Sequence, residues 1–80
     1  MNAEHDPGAP DEHPPAAKYV RYVLNKNAPT PMTKKDLVEE TGLIPRTVRN
    51  ALDALIEDDV IAVDIKPGDA RQRLYRLRSR

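Results

Sequence analysis

The side chains best able to do chemistry in this chain are hydrogen-bond donors grouped in two short segments. They are Arg46, Thr47, Arg49 and Asn50 in the first segment and Arg71 and Arg73 in the second. Arginine can bind two acceptors on guanine, asparagine can bind adenine in the same two-point manner, and threonine can contact a thymine methyl group or a phosphate. The chemistry that these residue types imply is recognition of base edges and phosphates.

Catalytic and metal-binding chemistry has little support in the sequence. Cysteine is absent, and both histidines, His5 and His13, fall within the first fifteen residues, where we interpret them as solvated. The sequence has no phosphate-binding glycine loop and no pair of metal ligands at helical spacing. We therefore expect no enzymatic activity, no cofactor and no bound metal.

Length and charge divide the 80 residues into a tail and one small domain. Residues 1–15 contain four prolines, four acids and no Lys, Arg, Val, Ile or Leu, which predicts a disordered acidic tail. Residues 16–78 form the predicted domain, and residues 79–80 are its C-terminal end. Residues 66–80 carry six basic groups against one acid, so the basic pole lies near the C-terminus. No membrane span or secretory signal is recognisable, and we expect a cytoplasmic protein.

Three helices are predicted from local signals. The first follows Pro14-Pro15 and ends in the turn-forming residues 25–31, where only a very short edge strand fits. Thr33 is placed to cap the second helix, which Gly42 can close in a left-handed conformation. Pro45 suits the first position of the third helix. The short turn between the second and third helices predicts a helix-turn-helix, although a plain helical hairpin stays an alternative.

The third helix separates a core face from a polar face. The apolar residues at helical spacing are Val48, Ala51, Leu52, Leu55 and Ile56. On the opposite side Arg46, Asn50 and Asp53 fall together, with Thr47 and Arg49 on the two flanks. The donors lie in the first turns, and this is the end that a recognition helix inserts into the major groove.

The remaining chain predicts a β-hairpin. Ile61, Val63 and Ile65 alternate with polar residues, which indicates a strand with one face on the core. Residues 66–69 have turn chemistry, and a second strand returns with Tyr75 and Leu77 facing the core. Arg71 and Arg73 would emerge near the hairpin tip. The fold class is therefore α+β, a winged helix-turn-helix of three helices followed by a two-stranded antiparallel wing.

Over about residues 16–78 the sequence resembles MarR-type winged helix-turn-helix domains of small archaeal and bacterial regulators. The resemblance is carried by Thr41-Gly42-Leu43 before Arg46-Thr47-Val48-Arg49, by Leu52-x-x-Leu55 before a strand, and by Asp69-Ala70-Arg71 before Leu74-Tyr75-x-Leu77. It implies major-groove contacts from the third helix and a wing in which Asp69 braces Arg71 for a contact to the DNA backbone or minor groove. This sequence lacks the long flanking helices through which full-length members dimerise and form their effector pocket, so ligand sensing is not carried over from the resemblance and dimerisation stays open.

These observations predict a sequence-selective regulator that binds double-stranded DNA. The alternative is a winged helix that binds another protein within a transcription or DNA-processing complex, because fold does not fix function. Arginine-rich exposed faces favour DNA over protein. A monomer and a homodimer on a palindromic site both stay open.

Overall fold

The computed structural model describes residues 13–78, and the elements follow the predicted order. They are α1 (Pro15–Lys26), α2 (Lys34–Thr41), α3 (Pro45–Glu57), β1 (Ile61–Lys66) and β2 (Asp69–Leu77). The two strands pair antiparallel, with Ile61 opposite Leu77 and Val63 opposite Tyr75. The predicted winged helix-turn-helix architecture is confirmed. The predictions for residues 1–12 and 79–80 lie outside the described residues.

One hydrophobic core joins the three helices to the base of the hairpin. Its buried side chains are Ala17, Val20, Val23, Leu24, Met32, Leu37, Val48, Ala51, Leu52, Leu55 and Ile61. Leu43, Tyr75 and Leu77 pack against it from the edge. Each large aliphatic side chain buried in this way contributes about 1.5–3 kcal/mol relative to an exposed one. The core therefore fixes how α3 sits relative to the hairpin.

The very short strand expected before α2 is present as a single bridge. The N–H of Met32 donates to the carbonyl of Tyr75 at 2.9 Å, and the N–H of Tyr75 donates back at 2.8 Å. Met32 thus lies on the outer edge of β2, opposite the edge that pairs with β1. This bridge brings the start of α2 close to the hairpin.

The predicted signals at the ends of α2 are confirmed. Thr33 Oγ1 accepts the N–H of Asp36 at 3.0 Å, and the N–H of Thr33 donates to the Asp36 carboxylate at 3.0 Å. This reciprocal capping box satisfies two N–H groups that have no partner within the helix. Gly42 ends α2 with φ of 75°, a left-handed conformation that glycine adopts without a steric penalty.

Three apolar side chains that were expected on the core, Ile56, Val63 and Ile65, are exposed instead. Ile56 is 38% exposed, Val63 38% and Ile65 52%. In β1 only Ile61 is buried, and Val63 and Ile65 lie outside the buried core cluster. The alternating pattern correctly predicted the strand, but it could not show how far the strand extends past the core.

The interpretation of His13 as a solvated residue is wrong. Its side chain is only 7% exposed, and its Nε2 lies 2.6 Å from a carboxylate oxygen of Asp58. Asp58 caps the C-terminal end of α3, where the helix dipole also favours a positively polarised group. The ordered domain therefore begins before residue 16, with Pro14 as the cap and Pro15 as the first residue of α1.

Candidate nucleic-acid interface

The first turns of α3 present the donors that the sequence singled out. Arg46, Arg49 and Asn50 are exposed, and Thr47 is half-buried. Val48 lies on the opposite side of the helix and is fully buried. Pro45 is the first residue, and Ile44 precedes it without a side-chain cap. The structure therefore anchors one face of α3 and leaves the polar face at its N-terminal end free to approach a ligand.

The hairpin tip contains an irregularity that the sequence did not reveal. Ile65 pairs with Arg73, but the next residue of β1, Lys66, pairs with Asp69. Residues 70–72 of β2 consequently have no opposite partner, and the strand bulges there. Gly68 closes the turn with φ of 84°. Bulges of this kind redirect side chains away from the regular alternation of a strand.

Asp69 holds the bulge together through both of its carboxylate oxygens. The Gln72 amide donates to Oδ2 at 2.8 Å, and the N–H of Arg71 donates to Oδ1 at 3.1 Å. The hydrogen bond from Gln72, then that from the Arg71 amide, and further the charge of Lys66 hold the pKa of Asp69 below its ordinary value of 3.8. The carboxylate is thus ionised at neutral pH and fixes the wing backbone.

The two wing arginines differ in how they are held. Arg71 Nε lies 3.8 Å from Asp69 Oδ1, and the Arg71 side chain is 94% exposed. Arg73 instead donates from its guanidinium to the carbonyl of Ala70 at 3.1 Å. Asp69 braces Arg71 mainly through the backbone N–H, so the Arg71 guanidinium keeps its donors available.

A cleft of about 390 Å³ lies between the start of α2, the side of α3 and the wing. Its charged lining consists of Lys34, Lys35, Arg49, Arg71 and Arg73, with Asp53 as the one acid. Three of the six predicted contact residues therefore meet in one place. Arg46, Thr47 and Asn50 are not part of the cleft lining and lie on the adjoining surface of α3. Five cations around one acid make the cleft a positively charged site.

Lys34 and Lys35 are cleft residues that the sequence analysis did not single out. Both are exposed in the first turn of α2 and line the cleft with the wing arginines. Their signal in the sequence was a pair of lysines directly after the capping Thr33. Nothing local indicated that the Met32 bridge would place them beside β2.

Tyr75 adds a neutral donor to the cleft lining. Burial raises the pKa of its hydroxyl above the ordinary value of 10.0, while the nearby charges of Arg73 and Asp53 act in opposite directions. The hydroxyl therefore stays protonated at neutral pH. In that form it can donate a hydrogen bond to an anionic oxygen.

Other kinds of site are not found in the part of the chain that the structure describes. Within residues 13–78 no group of three or more carboxylate, histidine or cysteine side chains is arranged to hold a metal ion. In the same range no helix combines the length and apolar character needed to cross a membrane.

Comparison with solved structures shows the same fold in transcriptional regulators. A probable transcriptional regulator from Pseudomonas aeruginosa superposes with a TM-score of 0.77 at 19% identity, covering 86% of this chain and 51% of that one. BpsR from Bordetella bronchiseptica, whose DNA binding is regulated by 6-hydroxynicotinic acid, has a TM-score of 0.76 at 25% identity over 85% and 47% of the two chains. MarR from Staphylococcus aureus, in complex with salicylate and kanamycin, has a TM-score of 0.63 at 28% identity over 76% and 39%.

The predicted resemblance to MarR-type winged helix-turn-helix domains is confirmed by these structures. This chain spans about half the length of the first two neighbours. No protein-family model matches the sequence. No curated protein matches it either.

Proposed function

We propose that this chain is a cytoplasmic, sequence-selective DNA-binding regulator. The N-terminal end of α3 enters the major groove, and the wing contacts the backbone or the minor groove. The observation that carries the proposal is the shared cleft, in which Arg49 of α3 meets Arg71 and Arg73 of the wing. Similar folds in DNA-binding regulators support it.

The charge distribution along α3 favours an end-on approach. Arg46 and Asn50 lie near the start of a helix of 13 residues, whereas Glu57 and Asp58 lie at its end. At 1.5 Å per residue the two ends are roughly 20 Å apart. The acids can therefore stay clear of the phosphates while the basic turns enter the groove.

In this proposal, different residues contact the DNA bases and the DNA phosphates. Arg46 and Asn50 read base edges from the centre of the exposed α3 face, and Thr47 and Arg49 support them on its flanks. Lys34, Lys35, Arg71 and Arg73 bind phosphates around the cleft. Phosphate contacts position a protein on the duplex, whereas base contacts supply the selectivity.

Selection from a random duplex library tests the proposal. We expect a defined motif, and Arg46→Ala should cost about 1–3 kcal/mol on that motif while relaxing selectivity at one position. Lys35→Ala is the matched control, because loss of a phosphate contact should weaken all duplexes evenly. No enriched motif, together with no salt-dependent duplex binding, would contradict the proposal and leave the protein-binding alternative.

The symmetry of the selected motif also reports the number of copies. A single module of this size buries little surface on DNA, so two copies on a palindrome would provide tighter binding. We therefore expect paired half-sites about one helical turn apart if the chain acts as a dimer. A single asymmetric half-site would indicate a monomer.

A further inference from the structure

The outer face of α1 carries a second basic surface that the DNA-binding proposal does not use. The helix contains Lys18, Arg21 and Lys26 and no acidic residue. Two of the three tyrosines in the chain are also on this helix and are exposed, Tyr19 by 42% and Tyr22 by 61%. Exposed tyrosine rings among cations are more typical of a binding surface than of an ordinary solvated helix.

The packing of α1 on α3 separates this face from the DNA-binding surface. The buried side chains of α1, such as Val20 and Leu24, lie in the same core as Val48 and Leu55 of α3. Because the core faces of the two helices meet, their exposed faces point in opposite directions. A duplex held by α3 and the wing therefore leaves the outer face of α1 accessible.

A groove extends this face toward the end of the hairpin. It runs between the C-terminal end of α1 and the end of β2, with Asn25, Pro29, Arg76, Leu77 and Arg78 in its lining. The N–H of Arg78 donates to the carbonyl of Val60 at 3.0 Å, which fixes the backbone at this position. Half-buried Leu77 supplies an apolar contact beside the cations.

Helical spacing joins the groove to the exposed residues of α1. Asn25 lies four positions after Arg21 and three after Tyr22, so the three side chains share one face of the helix. We use the term α1 surface for the set Arg21, Tyr22, Asn25, Leu77 and Arg78. It combines an aromatic ring, an aliphatic side chain and two cations.

We propose that the α1 surface docks an acidic segment of a partner protein. An apolar or aromatic side chain of that segment packs against Tyr22 and Leu77, and its carboxylates pair with Arg21 and Arg78. Tyrosine and arginine are among the residue types that most often anchor protein interfaces. Such a contact would let DNA-bound protein recruit another component.

Other occupants fit the surface less well. In a symmetric contact with a second copy, the α1 surface would bring together the cations Arg21 and Arg78 of both copies, and this surface contains no acid to pair with them. The acidic tail of this chain has no Val, Ile or Leu to fill the apolar part of the surface. A second DNA duplex fits less well because Arg76, which lines the groove, already pairs with Asp64 at 3.0 Å and is less available to a phosphate.

The test uses the full chain and a fluorescent peptide in which Asp and Glu alternate with Leu and Phe. Fluorescence anisotropy should show that this peptide binds. A control peptide in which Asn replaces Asp and Gln replaces Glu should not bind. The double variant Arg21→Glu and Arg78→Glu should bind about tenfold more weakly, as expected for the loss of two exposed charge pairs. Its duplex affinity should fall far less than that of Arg49→Glu, because neither Arg21 nor Arg78 lines the cleft. Arg49→Glu is the matched control and should lose duplex binding while keeping the peptide.

The tyrosine provides an independent arm of the test. Tyr22→Ala keeps every charge of the surface, so weaker peptide binding by this variant supports an apolar contact. The proposal is overturned if the Asn and Gln peptide binds equally well, if neither peptide binds, or if Arg49→Glu loses the peptide. Light scattering that shows a dimer in the wild type and a monomer in Tyr22→Ala would instead assign the surface to a second copy.

Discussion

Replacing Arg71 with alanine separates the contribution of the wing to DNA binding from its contribution to folding. The Arg71 side chain is 94% exposed and Nε is 3.8 Å from Asp69, so the free energy of unfolding should change by less than about 0.5 kcal/mol. Each phosphate contact contributes about 0.9 to the slope of log affinity against log salt. The variant should lose one such contact.

The expected magnitude follows from that slope. Salt weakens DNA binding by the wild type more steeply than by the variant. When salt rises from about 50 mM to about 200 mM, the ratio of wild-type affinity to variant affinity should therefore fall about 3.5-fold, which is about fourfold raised to the power 0.9. Fluorescence anisotropy with a labelled duplex at several salt concentrations measures it. Arg76→Ala is the matched control, because Arg76 lies on the same strand but pairs with Asp64 outside the cleft. An unchanged slope in Arg71→Ala, or an equal change in Arg76→Ala, would refute the reasoning.

Three further predictions concern the elements that position the site. Gly42→Ala should lower the free energy of unfolding by about 1 kcal/mol. The cause is the left-handed backbone alone, because a Cβ at this position meets no atom within 4 Å. Gly42→Asn should lower the free energy of unfolding by less, and thermal denaturation measures both variants. Thr33→Ala should cost about 1 kcal/mol by removing the capping box, whereas Thr30→Ala, at an exposed position, should cost little in the same assay. An NMR titration should place the pKa of Asp69 below 3.8 and show that Gln72→Ala raises it toward that value. Because this pKa is lowered by folding, the stabilising contribution of the carboxylate is present above about pH 3.8 and is lost as the pH falls through the folded value. A pKa of Asp69 at or above 3.8 would show that the wing contacts do not form in solution.

Local signals in the sequence were sufficient to predict the helices and the polar face of α3. Thr33, Gly42 and Pro45 act within one turn of their own positions, so the ends of α2 and the start of α3 could be read without tertiary information. Four of the five α3 residues that the apolar spacing assigned to the core are buried. Ile56 is exposed because it lies at the margin of the buried face.

Features that depend on distant contacts could not be predicted in the same way. The bulge at residues 70–72 arises from how the strands pair, and no residue type in the turn indicates it. Lys34 and Lys35 belong to the cleft because the Met32 bridge ties the start of α2 to β2. His13 lies 45 positions from Asp58, and only the folded chain brings them together.

NMR mapping with the selected duplex tests the central claim most directly, namely that α3 and the wing form one DNA-binding surface. We expect amide shifts at residues 46–50, at Lys34 and Lys35 and at residues 69–73, with little change along the outer face of α1. Shifts confined to α1, or shifts in α3 without any in the wing, would contradict it.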